Sequence, residues 1–146
     1  MIVGIGTDLV EVVRMQEALS RHGERLAARI LTPDELDEFH RSAAQDRFLS
    51  KRFAAKEAAA KALGTGFAEG LGWQDIAVTH NALGRPELRF QGAGLRLLQK
   101  LGATRSHLTI ADERGHAVAF VVLEQDTLGA DVHSNTMRAA QSAQQQ

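Results

Sequence analysis

Two acidic residues stand where their neighbours give them chemical use. Asp8 ends the stretch Gly4-Ile5-Gly6-Thr7-Asp8, and Glu57 lies within Arg52-Phe53-Ala54-Ala55-Lys56-Glu57-Ala58-Ala59-Ala60-Lys61. Glu57 and Lys61 are four apart and share one face of a helix. By itself that pair reads first as a surface ion pair worth about 0.3–0.5 kcal/mol. Asp8 alone reads equally as a helix cap or one half of a salt bridge, since a carboxylate ending a buried strand needs a partner. Together they suggest more. The alanines around Glu57 let another element approach closely, and Gly64-Thr65-Gly66 follows, a turn whose backbone amides can face a phosphate. A carboxylate for a metal, a lysine for a phosphate and a glycine turn compose a diphosphate site. Magnesium takes oxygen ligands, commonly one or two carboxylates completed by substrate phosphates and water, and Asp8 with Glu57 meets that requirement.

Other chemistries are disfavoured. The chain has no cysteine, which removes disulfides, thiolate metal sites and a cysteine nucleophile. None of its six histidines pairs at a zinc-ligand spacing. Gly4-Ile5-Gly6 lacks the third glycine of a dinucleotide fingerprint. A formal net charge of −1 supplies no global field to draw nucleic acid or an acidic membrane, so electrostatic recognition must be local. One local candidate is residues 14–29, where Arg14, Arg21, Arg25 and Arg29 outnumber Glu17 and Glu24. A solvated helix face explains that run as well. His107 lies on a strand with Thr109 and Ala111 on its face, a position more often structural than functional for a lone histidine.

These residues need a scaffold, and at 146 residues, 44% of them apolar, the chain fits one domain with an ordinary core. Residues 2–9 combine β-branched side chains with two glycines and read as a buried strand that another backbone or a ligand approaches. Residues 10–22 favour helix, Gly23 breaks it, and 24–31 resume it. Thr32-Pro33-Asp34-Glu35 has the form of an N-cap with proline in the first turn, opening a helix over 33–42. The strongest helical signal is 46–63, with Gly64 placed to end it. Then strands 76–80 and 86–90 flank a turn at 81–85, residues 93–101 form a short helix, and 106–112 with 116–124 make a second hairpin around Glu113-Arg114-Gly115. The expectation is an α+β domain over 1–124 and a polar extension over 125–146, which holds five glutamines and only Leu128, Val132 and Met137 as large apolar residues. The first residues are too short and too charged for a membrane span and lack the form of a signal peptide, so a cytoplasmic location is expected.

The glycine strand, the Phe53–Lys61 segment and the Gly64–Gly66 turn resemble the 4′-phosphopantetheinyl transferases, in particular the small holo-acyl-carrier-protein synthase type. The likeness runs over residues 2–124 and takes in Leu83-Gly84-Arg85-Pro86 and His107–Glu113. It implies transfer of phosphopantetheine from coenzyme A to a serine of an acyl carrier protein, with release of adenosine 3′,5′-bisphosphate. Asp8 and Glu57 would hold Mg²⁺ and act in catalysis. Either Glu57 or a metal-bound water would serve as base. Lys61, Gly64, Thr65 and Gly66 would contact coenzyme A phosphates, and Arg52, Pro86 and His107 its nucleotide end. Arg14, Arg21 and Arg25 would face the acidic carrier protein. The same likeness implies a homotrimer with sites at subunit boundaries. A non-catalytic coenzyme A-binding module and a purely structural trimer are the competing readings.

Overall fold

The structure, a computed structural model, describes residues 1–127; most of the expected extension, with Leu128, Val132 and Met137, lies outside them. The α+β expectation is met. The chain runs β1 (Ile2–Glu11), α1 (Val12–His22), α2 (Glu24–Ile30), α3 (Pro33–Arg41), α4 (Gln45–Ala62), a 3₁₀ turn (Trp73–Asp75), β2 (Ile76–His80), β3 (Pro86–Phe90), α5 (Gly92–Leu101), β4 (Arg105–Glu113) and β5 (His116–Glu124). Strands β1, β5 and β4 form an antiparallel sheet in that order, and β2 pairs with β3 apart from it. Among the described residues no helix is long and apolar enough to cross a membrane.

Local signals explain most boundaries. The side chain of Thr32 accepts a hydrogen bond from the Glu35 amide, and Glu35 Oε1 accepts one from the Thr32 amide at 2.9 Å, so a capping box starts α3. Gly23 takes φ +55°, which a side chain would resist, and separates α1 from α2. Arg114 and Gly115 both have positive φ, as a two-residue hairpin turn between right-twisted strands demands.

The first strand departs from expectation in two ways. It continues through Val10 and Glu11, expected in the helix, because those residues pair with Ala117 and His116 on β5. The amide of Val12 then bonds Gly115 O at 2.8 Å, and only there does the helix begin. Long-range pairing overrides local preference. Nor is the strand buried on both faces. Ile5 is 61% and Leu9 66% exposed, and Val118 and Phe120 on β5 are exposed beside them. The register pairs Ile5 with Val122 and His107, Thr7 with Phe120 and Thr109, and Leu9 with Val118 and Ala111, so these rows share the uncovered face.

The covered face carries α4. Its buried residues are mainly alanine, and they pack with Val121, Leu123, Ile76 and Val78 in the main core. A second cluster holds Met15, Ala27, Ile30, Leu31, Phe39 and Leu49 under the first three helices. Helix and strand meet backbone to backbone at Gly4 and Gly6. A Cβ on Gly6 would strike the Ala58 carbonyl, and one on Gly4 the Ala62 carbonyl. Gly6→Ala should therefore cost at least about 1–3 kcal/mol, the range for overpacked interiors. Urea unfolding measures this; a variant as stable as the parent would show that α4 can retreat at no cost.

Candidate active site

The approach of α4 to β1 brings Asp8, Glu57 and Lys61 together. Lys61 Nζ donates to Asp8 Oδ1 at 3.0 Å and to Thr7 O at 3.0 Å. Among the described residues its ion pair is thus with Asp8 across the interface, not with Glu57 along the helix. Asp8 and Glu57 line one cleft of about 590 Å³, whose walls include Arg14 and Met15 of α1 and Phe53 of α4. Glu57 is half-buried, and that burial raises its pKa above the ordinary carboxylate value. Repulsion by Asp8 adds to the rise and Lys61 opposes it.

Two carboxylates that repel each other at the head of a cleft fit a hard divalent cation. No group of three or more metal-ligating side chains occurs among the described residues, so such a cation would complete its shell with phosphate oxygens and water.

The turn after α4 is shaped by conformation and not by crowding. Gly64 and Gly66 take φ +87° and +58°, and a Cβ on either would meet open space. Their amides differ from expectation. That of Gly64 bonds Lys61 O at 3.0 Å and that of Gly66 bonds Ala60 O at 3.1 Å. Those donors are committed to the helix end, which leaves Thr65 as the residue of this turn with polar groups to offer an anion. Its hydroxyl now donates to Gly66 O at 2.9 Å.

Pro86 and His107 come together elsewhere. They line a second cleft of about 590 Å³ with Arg85 and Thr109, and its lining shares no residue with the first. His107 projects from the uncovered face of the sheet, with its Nε2 2.9 Å from a Glu124 carboxylate oxygen. Asp8 projects from the covered face, so one chain holds the two groups on opposite sides of one sheet. Arg52 joins neither group. It is buried, pairs with Glu38 at 3.1 Å and Glu35 at 3.7 Å, and lies over the Phe48 ring at 4.5 Å. Its Nε is buried without a hydrogen-bond partner. The family likeness implied a contact with the nucleotide end of coenzyme A there; instead α3 covers Arg52 with Glu35 and Glu38. Arg14, Arg21 and Arg25 are all exposed, Arg14 beside Glu11 at 3.6 Å.

Sequence reasoning missed Lys56. It is fully buried, and its Nζ donates to Ile30 O and Glu35 Oε1 at 2.6 Å each and to Trp73 O at 3.2 Å. Burial pulls its pKa down, against the pull of Glu35. The available signal was its i, i+4 relation to Arg52, two cations on one helix face with a capping-box glutamate nearby.

A model of the 4′-phosphopantetheinyl transferase superfamily matches residues 4–121, and so most of the chain. The chain belongs to that superfamily. Among similar proteins, the holo-[acyl-carrier-protein] synthase of Halorhodospira halophila is 54% identical over 123 residues, 84% of this chain and 98% of that protein. The synthase of Vibrio cholerae is 52% identical over 125 residues, covering 86% and 99%. The fold of this transferase matches the crystal structure of the Neisseria meningitidis synthase with a TM-score of 0.80 at 44% identity, over 86% of this chain and all of that one. It also matches a Bacillus anthracis synthase in complex with coenzyme A (3′,5′-ADP), with a TM-score of 0.72 at 34% identity, over 86% and 99%.

The Asp8–Glu57 coupling makes a measurable prediction. A raised carboxyl pKa means the folded chain holds that proton more tightly than the unfolded one. Glu57 therefore adds stability at low pH that is lost as pH rises from the ordinary glutamate pKa, about 4.3, through its raised value. Cation binding runs the other way and needs the ionised form, so it should begin to weaken at a higher pH than an ordinary glutamate would cause. Asp8→Asn removes the repulsion and frees Lys61, so the Glu57 midpoint, followed by carbon NMR, should move down. A midpoint that rises or stays put would show that Asp8 does not act on Glu57.

Proposed function

We propose that this transferase moves the 4′-phosphopantetheine group of coenzyme A to a serine hydroxyl of an apo acyl carrier protein, with Mg²⁺, releasing adenosine 3′,5′-bisphosphate. The observation that carries this reading is the meeting of Asp8, Glu57 and Lys61 at the head of a cleft whose wall includes Arg14. Relatives named holo-[acyl-carrier-protein] synthase, and a similar structure in complex with coenzyme A, support it.

In this reading Asp8 and Glu57 hold the cation, which supplies charge neutralisation on the diphosphate. The chain's own groups do the rest by placement, since phosphoryl-type transfer needs orientation and charge compensation more than covalent help. Lys61 and Thr65 bind phosphate oxygens. The serine oxygen forms a bond to the β-phosphorus as the bond to the bridging oxygen breaks. The bisphosphate leaves with that electron pair, and the serine proton passes to Glu57 or to solvent at the cleft mouth. Incubation with coenzyme A, Mg²⁺ and an apo carrier tests the whole: the carrier should gain the mass of one phosphopantetheine, and unchanged carrier would leave only a binding module. Asp8→Ala or Glu57→Ala should fold and lose about a thousandfold in rate, equivalent to ~4 kcal/mol of transition-state stabilisation. Near-normal kcat at limiting Mg²⁺ in either variant would refute the metal assignment.

The proposal includes a homotrimer with shared sites. The bare apolar face around Ile5, Leu9, Val118 and Phe120 supports association, and the number three rests on the family likeness. A neighbour seated there would carry His107 and Pro86 toward another chain's Asp8 cleft, joining two clefts that one chain keeps apart. Mixing an Asp8→Ala chain with a His107→Ala chain should then restore activity, approaching about one quarter of sites at equal mixing of subunits. A catalytically competent monomer in sedimentation would overturn it.

The carrier is placed along α1 and α2, where Arg14, Arg21 and Arg25 face solvent and can meet carboxylates. Each exposed pair is worth roughly 0.2–1 kcal/mol, so reversing Arg14 and Arg21 together to Glu should raise KM for the carrier about tenfold or more. Coenzyme A affinity should barely change, and wild-type KM for the carrier should rise with salt. Collapse of coenzyme A affinity would move these arginines to the nucleotide.

A further inference from the structure

The chain's only tryptophan, Trp73, is the middle plate of an aromatic stack that touches both proposed substrate sites. Its ring lies 3.9 Å from that of Phe67, inclined at 27°, and 5.0 Å from that of Phe53, inclined at 26°. Phe67 directly follows the Gly64–Gly66 turn. Phe53 is a wall of the cleft that holds Asp8 and Glu57. Phe67 packs against the sheet core and Phe53 against the helical core, so the stack joins the two clusters.

Trp73 itself is firmly mounted. Lys56 donates to its carbonyl from a fully buried position. The next residue, Gln74, donates to Ala28 O at 2.9 Å and accepts from Gln91 at 2.6 Å. The turn beside it is mounted lightly. Gly64, Gly66 and Gly70 take positive φ that glycine adopts freely, and Glu69 takes φ +54°, which its side chain resists, so the backbone has few conformational reasons of its own to hold this path. The bonds of Gly64 and Gly66 fix only its start. The Leu71 amide bonds Ala68 O at 3.1 Å and its buried side chain anchors the far end, and between the two ends the Phe67 ring on Trp73 ties the turn sideways to the scaffold.

We propose that Trp73 is a positioning residue that holds the phosphate turn and the Phe53 wall in one register, so that coenzyme and carrier each favour binding of the other. This rests on the functional reading above, which puts the coenzyme diphosphate between the cleft head and the turn, and the carrier along α1 and α2, which form the cleft's other wall. The bonds of Lys56 and Gln74 hold the backbone at Trp73 and leave its ring to the stack, so a coenzyme that seats the turn seats Phe67 on that ring and fixes the plate against which Phe53 packs. The carrier then meets a cleft already shaped, and linkage makes the benefit reciprocal.

The test is calorimetry of coenzyme A binding to the full chain with and without saturating apo carrier whose acceptor serine is replaced by alanine. The carrier should tighten coenzyme binding to the wild type by about fivefold or more, the usual range of such coupling. Trp73→Leu should abolish that gain, and Trp73→Phe, which keeps a flat ring, should retain most of it. In turnover Trp73→Leu should raise KM for both substrates while kcat at saturation stays within about threefold, because the binding it loses is shared by the ground and transition states. A merely structural residue would instead lower the melting temperature and the active fraction, moving kcat and leaving KM alone. Coenzyme addition should also shift the emission of Trp73, and Phe67→Leu should remove that shift. Equal coupling in Trp73→Leu and wild type overturns the proposal. If Lys61→Ala and Thr65→Ala both leave coenzyme affinity unchanged, the coenzyme is not at this turn, and the functional reading falls along with the proposal. Dependence on Lys61 without dependence on Trp73 overturns the positioning role alone.

Discussion

Everything at the candidate site depends on how closely α4 lies against β1. Two glycines on the strand face the carbonyls of Ala58 and Ala62, and neither position has room for a methyl group. That contact lets a lysine on the helix reach a carboxylate on the strand, and it sets Glu57 against Asp8. The same closeness explains the alanines. A helix buried on most sides against a sheet cannot carry large side chains there, yet alanine costs nothing in helix propensity and leaves backbone hydrogen bonds satisfied within the helix. The active-site electrostatics are thus a by-product of backbone packing.

An alanine helix, however, has few large knobs to fix its rotation about its own axis. Lys56 supplies one. Its three donors are used on the end of α2, the capping glutamate of α3 and the 3₁₀ turn, while Glu35 also accepts the amide of Val78 on β2 at 3.0 Å. Breaking one half of such a buried pair costs roughly 3–5 kcal/mol, even where the pair as a whole adds little stability. Successive helix residues are about 100° apart. With Lys56 locked inward, Glu57 must open on the neighbouring side, where the cleft is. A rotational slip would bury a carboxylate and expose the ammonium's partners unpaired, so specificity of register is the chief contribution of this pair.

Much of this was legible in the sequence because it is written locally. Gly23, the Thr32–Glu35 box, Gly64 and the Arg114-Gly115 turn each place a boundary through a conformation that few other residues adopt, and each boundary falls within a residue or two of expectation. What was not legible depends on contacts distant in sequence. Val10 and Glu11 read as helix until β5 is there to pair with them. Lys61 reads as the partner of Glu57 until the strand brings Asp8. Arg52 stands, on the family likeness, as a candidate for the nucleotide end until α3 covers it with Glu35 and Glu38. The amides of Gly64 and Gly66 read as free donors until the helix end claims them. In each case the residue type was right for several partners, and the fold chose one.

The sheet leaves a last asymmetry. Three strands can be covered on one face by a single long helix, and among the described residues no second layer covers the other face. Among the described residues Ile5, Leu9, Val118 and Phe120 make a bare row, costly in water, which the proposed association would cover. His107 stands in the same register as Ile5 and Val122, at the β4 edge of that face. A contact that covers the apolar rows therefore cannot avoid bringing the histidine and its cleft to a neighbouring subunit. In the proposed assembly the composite site needs no separate design, because the shortage that drives the chains together is located where the second half of the site already lies.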